Sequence, residues 1–424
     1  MRDVFTNKHL NAIEIVDPEN LERYNRKVNH LSTWIKKLRK EIGLEDFAYF
    51  QGSDAYGLKD IALRSSYVKM TEPSFTGLKI ALCIPSSRVR FYRDVQDQII
   101  QEEKKGLYVY GIEINHPYFG KRCIRFNRYL NCVAGKLDSG KSTLFKLMQQ
   151  PITPADHNRD IQGSVKLFIE KLEKSRSHYY AIARDSRGHY FYSLDKPGDT
   201  ANKLDWGQLK DLHIIPHFYD PDIADPWISS GEEFNKFLEE RFGAPDAKSI
   251  ETFNETFDIP IFLEEKNQRL LYAELHENQY KIYLNVRWNR GKEKRVEFEK
   301  LDNSLRRIVF ICIMLISGIA GPLIIDAPEA YFNNEDIVNY LVPIIKKYKD
   351  TRQIILFTNH PLLAINTDPE NYILLEQVKR KGKKINRVES GFSIDKEGQR
   401  DKLINLMEGN LGAFNKRKIR YELE

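Results

Sequence analysis

The sequence predicts an α/β protein built on a parallel β-sheet, and three stretches indicate this fold class. Residues 130–133 (LNCV) form a short, mostly apolar segment, which is followed by a glycine-containing loop and then by residues with helical spacing. Residues 322–326 (PLIID) and 352–357 (RQIILF) are two further apolar segments of strand length. Strands that are apolar throughout are typical of a parallel sheet covered on both faces.

The loop after the first strand fits the phosphate-binding pattern G-x-x-x-x-G-K-[ST], with a chance match in a surface loop as the alternative. A strand, a glycine loop and a helix N-terminus direct backbone N–H groups and a helix dipole at an anion. The pattern predicts that Lys141 contacts the β- and γ-phosphates of ATP and that Ser142 ligates Mg²⁺. The expected nucleotide contacts are Gly135, Lys136, Asp138, Ser139, Gly140, Lys141, Ser142 and Thr143.

A phosphate loop of this kind needs a carboxylate for Mg²⁺ on a neighbouring strand. Asp326 ends the PLIID segment, 185 residues after Lys141, and is the predicted metal carboxylate; a simple helix cap at a strand end is the alternative. The next strand, residues 352–357, is followed by Asn359 and His360. These two side chains are candidates for the catalytic edge, although His360 can equally be an ordinary loop histidine.

Composition sets the broad class of the chain. It has 424 residues, enough for two or three domains, and a formal net charge of +6. Basic runs at 121–128, 379–384 and 416–420 are either solvated surface or a nucleic-acid face. The four cysteines form no C-x-x-C pair, which favours a reducing compartment without zinc or disulfides. The first residues carry no apolar signal segment, so we expect a cytoplasmic protein.

One apolar stretch has almost the length of a membrane span. Residues 308–325 carry no charge over 18 positions, which is roughly 27 Å of helix. Gly318, Gly321 and Pro322 interrupt it near its end, and PLIID follows. A buried helix that leads into a buried strand is therefore expected, and no membrane is expected as a partner.

Hydrophobic periodicity predicts the remaining elements in order. The expected domains are residues 1–92, a helical linker or crossover at 93–106, and residues 107–424, with a small helical lid at about 225–278. Strands are expected at 10–16, 107–114, 123–126, 165–170, 179–184, 189–194, 280–288 and 294–301, and helices at 18–42, 232–242, 260–278, 335–349 and 397–421.

Three segments resemble one bacterial family. Residues 322–376 are similar to the ATPase of proteins that join a PHP phosphoesterase domain to an ABC/SMC-type ATPase, often called TrlF-like. Residues 403–421 (LINLMEGNLGAFNKRKIRY) resemble the family's closing motif, and residues 51–82 are similar to the last part of a PHP domain. The resemblance covers residues 1–92, 107–170 and 300–424.

The resemblance implies an α/β ABC/SMC-type P-loop ATPase head with an N-terminal PHP-like remnant. Such heads form a homodimer, head to tail, around two ATP molecules with Mg²⁺. Many relatives are thought to act in defence against phage, so the implied partner is an effector protein such as a nuclease, or DNA or RNA. Before residue 54 the chain has only His9 and His30, and Tyr56 replaces the last PHP metal ligand. Asp54 alone cannot hold a dinuclear centre, so phosphoesterase activity is not expected.

The ATPase motifs also depart from the family. Residues 302–307 (DNSLRR) replace the family's S-P-G-Q-R signature. Asp302 or Ser304 is expected to cap the following helix, whose N-terminus, with Ser304, is expected to face a partner's γ-phosphate. Arg306 or Arg307 is expected to add charge in trans, with plain surface arginines as the alternative.

The catalytic positions are changed as well. Ala327 replaces the usual glutamate base, which leaves Glu329 as the nearest carboxylate, and Asn359 stands where the family has histidine. No glutamine is visible near residues 217–222. A positioned base contributes about 10²–10⁴ in rate, so we expect intact ATP binding and slow hydrolysis. A nucleotide-gated scaffold without useful hydrolysis is the alternative.

Overall fold

The computed structural model divides into two compact units, residues 1–104 with 393–403 and residues 105–392 with 404–424. The description below covers residues 6–15, 35, 37–42, 44, 46–52, 55–61, 65–91, 95, 105–153, 163–173, 176–194, 201–205, 208, 215–221, 224, 228, 230–257, 262–264, 267–288, 293–317, 321–380 and 383–421. Asp54, His30 and most of the predicted 18–42 helix and 93–106 linker lie outside these residues. The predicted domain boundaries stay predictions.

The first unit contains short elements. Its described strands pair in twos: β1 with β2 in parallel, and β3 with β4 antiparallel. Ser74 caps α1 by accepting a hydrogen bond from the Gly77 amide. Arg88 forms a buried ion pair with Asp395, which also accepts from the Thr71 amide, so residues 393–395 are tied into this unit. The elements are β1 (Ala12–Glu14), β2 (Ala48–Phe50), β3 (Ser66–Val68), α1 (Phe75–Cys83), α2 (Pro85–Arg88) and β4 (Val89–Phe91).

The second unit begins with a sheet that contains six of the described strands. All of its pairings are antiparallel, in the order β11-β10-β9-β8-β5-β6. Alternating apolar residues explain why these segments form strands of such a sheet. Along most of β8, every second side chain is buried. The elements are β5 (Lys105–His116), β6 (Gly120–Arg125), β8 (Ser164–Glu173), β9 (Arg176–Asp185), β10 (Gly188–Leu194) and β11 (Ala201–Leu204).

The second sheet of this unit carries the three segments that predicted the fold class. Within the described chain its strand order is β12-β17-β18-β7-β19-β20, and every pair is parallel except β19 with β20. The prediction of a parallel sheet is therefore confirmed. The strands are β7 (Leu130–Gly135), β12 (His217–Tyr219), β17 (Leu323–Asp326), β18 (Ile354–Thr358), β19 (Asn371–Arg380) and β20 (Lys383–Phe392).

Both faces of this sheet are buried, which explains its apolar strands. In β17, Leu323 and Ile325 belong to one hydrophobic cluster, whereas Ile324 belongs to the cluster on the other face. The first cluster contains α4 (Gly231–Phe242), α5 (Ala247–Thr256) and α6 (Asn303–Ile316), and the second contains α3 (Lys141–Gln149) and the antiparallel sheet. Successive side chains of a strand point to opposite faces, so each face needs its own apolar set.

The predicted helix at 260–278 is wrong, because these residues form strands. β13 (Phe262–Glu264), β14 (Asn267–His276), β15 (Gln279–Trp288) and β16 (Glu293–Glu297) make an antiparallel sheet of four described strands. Glu277 and Asn278 both have positive φ, 49° and 60°, and close a two-residue hairpin between β14 and β15. Both central residues of such a turn require this conformation, and asparagine tolerates it well. The predicted helix at 232–242 is present as α4, whereas α5 is a helix that the sequence analysis did not predict.

The uncharged stretch 308–325 is a buried helix followed by a strand, as predicted. Its residues from Ile308 to Leu315 on α6 are all buried, and β17 begins at Leu323. In the part of the chain that the structure describes, no helix is long and apolar enough to cross a membrane.

The predicted helix at 335–349 has an irregular centre. Asn334–Asp336, the π-helical turn Ile337–Leu341 and Val342–Tyr348 follow one another as one helical run, α7. Pro343 lies just after the π-turn and cannot donate a backbone hydrogen bond, which accounts for the change of pitch there. The last elements are α8 (Pro361–Asn366), α9 (Glu397–Met407) and α10 (Leu411–Arg420).

Candidate nucleotide-binding site

The glycine loop connects β7 to α3 at the carboxyl edge of the parallel sheet. Asp138 and Gly140 have positive φ, 61° and 93°, so the loop turns sharply before α3 begins at Lys141. A Cβ on Gly140 would overlap the Asn386 amide and approach the Phe119 ring to 3.1 Å. Glycine is therefore required both by the backbone conformation and by the packing around the loop.

Lys141 lies across the mouth of the loop. Its Nζ donates to the backbone oxygens of Gly135 (2.8 Å) and Lys136 (3.0 Å). Gln377 on β19 supports the loop by donating to the Asp138 carbonyl at 3.2 Å. Burial lowers the pKa of the Lys141 ammonium, although nearby carboxylates oppose the shift. A cation that now satisfies the loop's own carbonyls is well placed to turn to a phosphate.

Asp326 ends β17 next to the loop and is almost buried, with 7% of its surface exposed. Burial, with the charges of Asp220 and Glu329, raises the pKa of Asp326 to about 6. A hydrogen bond from Ser142 and the charge of Lys141 act in the opposite direction. The predicted metal pair, Ser142 and Asp326, is therefore brought into hydrogen-bond contact.

Asp220 is a site residue that the sequence analysis missed. β12 pairs in parallel with β17, with Tyr219 opposite Ile325, so Asp220 follows its strand where Asp326 ends the neighbouring one. The family pattern predicts a glutamine near residues 217–222, whereas this segment carries an aspartate directly after HFY. An aspartate directly after a short apolar strand was the available signal, because Asp326 carries the same one.

Glu329 lies in the 3-10 turn Pro328–Tyr331 that follows β17. Ala327 enters this turn in the left-handed region at φ 39°, which is unfavourable for alanine. The Glu329 Oε1 accepts from the Thr358 hydroxyl and, at 3.3 Å, from the Asn359 amide. Its Oε2 is buried and has no hydrogen-bond partner among the described residues. Burial raises the pKa of this carboxyl, and the Thr358 hydrogen bond opposes the shift.

Asn359 and His360 follow β18, whose Thr358 pairs with Ala134 just before the loop. The His360 amide donates to the Thr358 hydroxyl at 3.0 Å, and His360 begins α8 as its cap residue. Burial lowers the pKa of His360, which favours the neutral imidazole. The strand order thus brings the loop, both strand-end carboxylates, Glu329 and His360 to one edge of the sheet.

Ser304 and Arg307 lie on the first turns of α6, and both contact the turn that holds Glu329. The Ser304 hydroxyl donates to the Tyr331 carbonyl at 3.3 Å, and the Arg307 guanidinium stacks on the Tyr331 ring at 3.6 Å. Arg307 is 2% exposed, so the interpretation of a surface arginine is wrong for this residue. In this conformation its guanidinium faces its own chain, and a role in trans stays a prediction.

The side chains present fit a phosphate group with Mg²⁺. The loop supplies backbone N–H groups and Lys141 for phosphate oxygens. Ser142, Asp326 and Asp220 supply the oxygen ligands that Mg²⁺ prefers. Ser139 has a buried hydroxyl without a hydrogen-bond partner among the described residues, which leaves a donor inside the loop. The strand order and this loop define an α/β protein of the P-loop class.

Comparisons with known proteins give low similarity. No protein-family profile and no curated protein matches the sequence. The structure is similar to an Smc head bound to the C-winged helix domain of ScpA, with 14% identity over 67% of this chain and 98% of that chain and a TM-score of 0.49. The SMC head domain from Thermotoga maritima is 12% identical over 68% of this chain and 99% of its own length, with a TM-score of 0.41. The recombination mediator RecF is 11% identical over 67% and 99%, with a TM-score of 0.41.

Proposed function

We propose that this protein is an ATP-binding, slowly hydrolysing ABC-type ATPase subunit. The observation that carries the proposal is the meeting of Lys141 with the Ser142–Asp326 pair at one sheet edge. On binding ATP, Lys141 leaves the carbonyls of Gly135 and Lys136 and contacts the β- and γ-phosphates. Ser142 and Asp326 would hold Mg²⁺, which would neutralise charge on the phosphates. Ligands of open α/β sheets bind at this carboxyl edge.

Hydrolysis requires a group that orients the attacking water, and Glu329 is our candidate. Its unpartnered Oε2 is free to accept a proton from water while Oε1 remains bound to Thr358. His360, whose backbone amide donates to the same hydroxyl, is the second candidate. Since Ala327 provides no carboxylate directly after Asp326, the base lies two residues further along the chain than in most ABC ATPases. Turnover is therefore slow.

A non-hydrolysing, nucleotide-gated scaffold is the second candidate function. One observation favours it: Glu329 is buried and engaged by Thr358 and Asn359, which is what a purely structural carboxylate also does. In that case ATP binding alone switches the protein between two states. Both functions use the same loop and the same metal ligands.

We infer that the active form is a homodimer. ABC-type heads complete each ATP site with a helix N-terminus from the second copy, and α6 is that helix here. A two-fold dimer closes both sites at once. ATP-driven closure would control an effector, such as a nuclease or a nucleic acid, in defence against phage; this role rests on family resemblance. The N-terminal unit is proposed to be a PHP-like remnant without phosphoesterase activity.

Phosphate release by the purified protein distinguishes the two functions. Wild type should release phosphate from ATP with Mg²⁺ above the level of Lys141→Ala, and Lys146→Ala should match wild type. Lys146 is the matched control because it is an exposed lysine on the same helix. If wild type binds ATP but releases no more phosphate than Lys141→Ala, the scaffold is the correct function. If neither protein binds ATP, both proposals are wrong.

A further inference from the structure

Tyr331 joins two parts of the second unit that have separate roles in the proposed function. Its backbone oxygen accepts from Ser304, and its ring carries the Arg307 guanidinium at 3.6 Å. Both of these partners lie at the start of α6, whose N-cap is Asp302. The Tyr331 side chain therefore holds the α6 N-terminus against the segment that follows β17.

The segment that ends at Tyr331 is also the segment that holds Glu329. Within it, the Ala330 amide donates to the Ala327 carbonyl at 3.0 Å, and the Phe332 amide donates to the Glu329 carbonyl at 3.1 Å. These bonds make Pro328–Tyr331 a short, closed 3-10 turn. A displacement of Tyr331 is therefore transmitted to Glu329 through a turn with little freedom to absorb it.

Glu329 continues this connection to β18. Its Oε1 accepts from the Thr358 hydroxyl and the Asn359 amide, and the same hydroxyl accepts from the His360 amide. Contacts thus run without a break from the start of α6 to the two candidates for orienting water. None of them requires a bound nucleotide.

The exposure of Tyr331 indicates more than a packing role. The residue is 43% exposed, whereas Arg307 beneath it is 2% exposed, so one ring face covers a buried cation and part of the ring remains at the surface. A cleft of about 400 Å³ at the start of α6 is lined by Asp302, Ser304, Asn333 and Tyr340, among others. A group that docks in this cleft contacts Ser304, whose hydroxyl is bonded to the Tyr331 carbonyl.

We infer that Tyr331 is a positioning residue that couples the start of α6 to the Glu329 carboxylate. The role of this coupling depends on the proposed function, because a second copy's nucleotide is proposed to dock at α6. Docking there shifts Arg307 and Ser304, Tyr331 follows them, and Glu329 moves between its bonds to β18 and the attacking water. One copy thereby senses the nucleotide of the other.

The first test needs no nucleotide. Tyr331→Phe keeps the ring and Tyr331→Leu removes it. Hydrogen exchange of the segment after Phe357, which includes the Asn359 amide, should be faster in the leucine variant and unchanged in the phenylalanine variant. Arg307→Lys, which keeps the charge but loses the planar stack, is the second variant and should also exchange faster. Equal exchange in wild type and in the folded leucine and lysine variants would overturn the coupling, whether or not ATP binds.

The second test separates positioning from stability. With saturating ATP, Tyr331→Leu should lower kcat about tenfold while the Kd for ATP stays within twofold, and Tyr331→Phe should restore kcat, as for loss of a positioned base. A parallel loss of ATP affinity would mean that the ring only supports the fold, and the inference would fail. Absence of ATP binding in wild type would instead refute the proposed function, and the exchange result would still decide the coupling.

Discussion

Asp220 and Asp326 stand at the carboxyl ends of two hydrogen-bonded parallel strands, and the charge of Asp220 helps to raise the pKa of Asp326 to about 6. Mg²⁺ binds the carboxylate and competes with its proton. We expect the affinity for ATP with Mg²⁺ to be constant above about pH 7 and to fall by up to about tenfold per pH unit below pH 6. Titration with a fluorescent ATP analogue between pH 5 and 8 measures this.

Asp220→Asn tests the cause of that pH dependence. Removal of a neighbouring negative charge lowers the pKa of Asp326, so the loss of affinity should begin at a lower pH than in wild type. Asp401→Asn, an exposed aspartate on α9, is the control and should behave as wild type. Identical pH profiles for Asp220→Asn and wild type would show that Asp220 does not act on the metal carboxylate.

The raised pKa of Asp326 also makes folding stability depend on pH, but stability is higher at low pH, where ATP affinity is lower. The folded pKa of Asp326 lies above the ordinary 3.8, so the folded state binds this proton more tightly. Protonated Asp326 therefore contributes on the order of 3 kcal/mol to the free energy of unfolding below about pH 4. This contribution is lost as pH rises through 6. Asp326→Asn should therefore flatten this part of the stability profile in urea unfolding without nucleotide. A slope that is unchanged in Asp326→Asn would contradict the assignment.

Lys141→Ala should abolish ATP binding without unfolding the chain. At an ATP concentration of 100 times the Kd, ligand binding stabilises the folded wild type by about 2.7 kcal/mol. ATP with Mg²⁺ should therefore raise its melting temperature. The variant should show no rise, whereas Lys146→Ala should show the full one. EDTA should reduce the rise in wild type, because Asp326 and Ser142 act through the metal. An equal response of Lys141→Ala and wild type would place the nucleotide elsewhere.

Glu329→Gln should spare ATP binding and slow single-turnover hydrolysis about tenfold or more, on the scale of a lost base. The amide keeps an acceptor for Thr358 and Asn359, so the turn should stay folded. ATP-bound dimer should accumulate. Glu335→Gln, an exposed glutamate at the start of α7, is the control. If Glu329→Gln hydrolyses at the wild-type rate, His360 becomes the next residue to substitute.

Ser304→Glu should weaken ATP-dependent dimerisation. A carboxylate near a helix N-terminus is favourable for the helix itself, so the fold should be kept. The added charge would repel the γ-phosphate of a second copy's ATP. Sedimentation with a non-hydrolysable analogue should show a raised dimer fraction for wild type and Ser304→Ala, and a low fraction for Ser304→Glu. A monomer in every condition would refute the dimer.

Lys349→Met should destabilise the protein by about 3–5 kcal/mol, because it leaves buried acceptors unpaired. The ammonium is fully buried; it forms an ion pair with Glu370 at 3.1 Å and donates to the Thr367 carbonyl at 3.2 Å. Glu370 in turn accepts from the Leu130 amide, at the start of the strand that leads to the loop. Urea unfolding should show the loss, and the exposed control Lys347→Met should change stability little.

Local pattern was sufficient where one signal dominates. The glycine loop, the strand before it and Asp326 were found from sequence because they form one contiguous motif or one apolar strand with a polar end. The prediction of a helix at 260–278 was wrong because local composition and the turn disagree. Glutamates and leucines favour a helix, whereas the hairpin depends on two positive-φ residues, Glu277 and Asn278. Pairing with β15 decided the outcome, and no window within that segment contains the partner strand.

By itself, the sequence determined that the chain has a phosphate loop and a parallel sheet, and it predicted a weakened set of catalytic residues. Only the tertiary structure decided which residues meet. The register of β12 with β17 placed Asp220 beside Asp326, and the packing of α6 placed Arg307 against Tyr331 instead of at the surface. The physical reason is that side-chain periodicity is local, whereas strand order and helix packing join residues more than 20, or even 100, positions apart, as Arg307 and Tyr331 or Asp220 and Asp326 are.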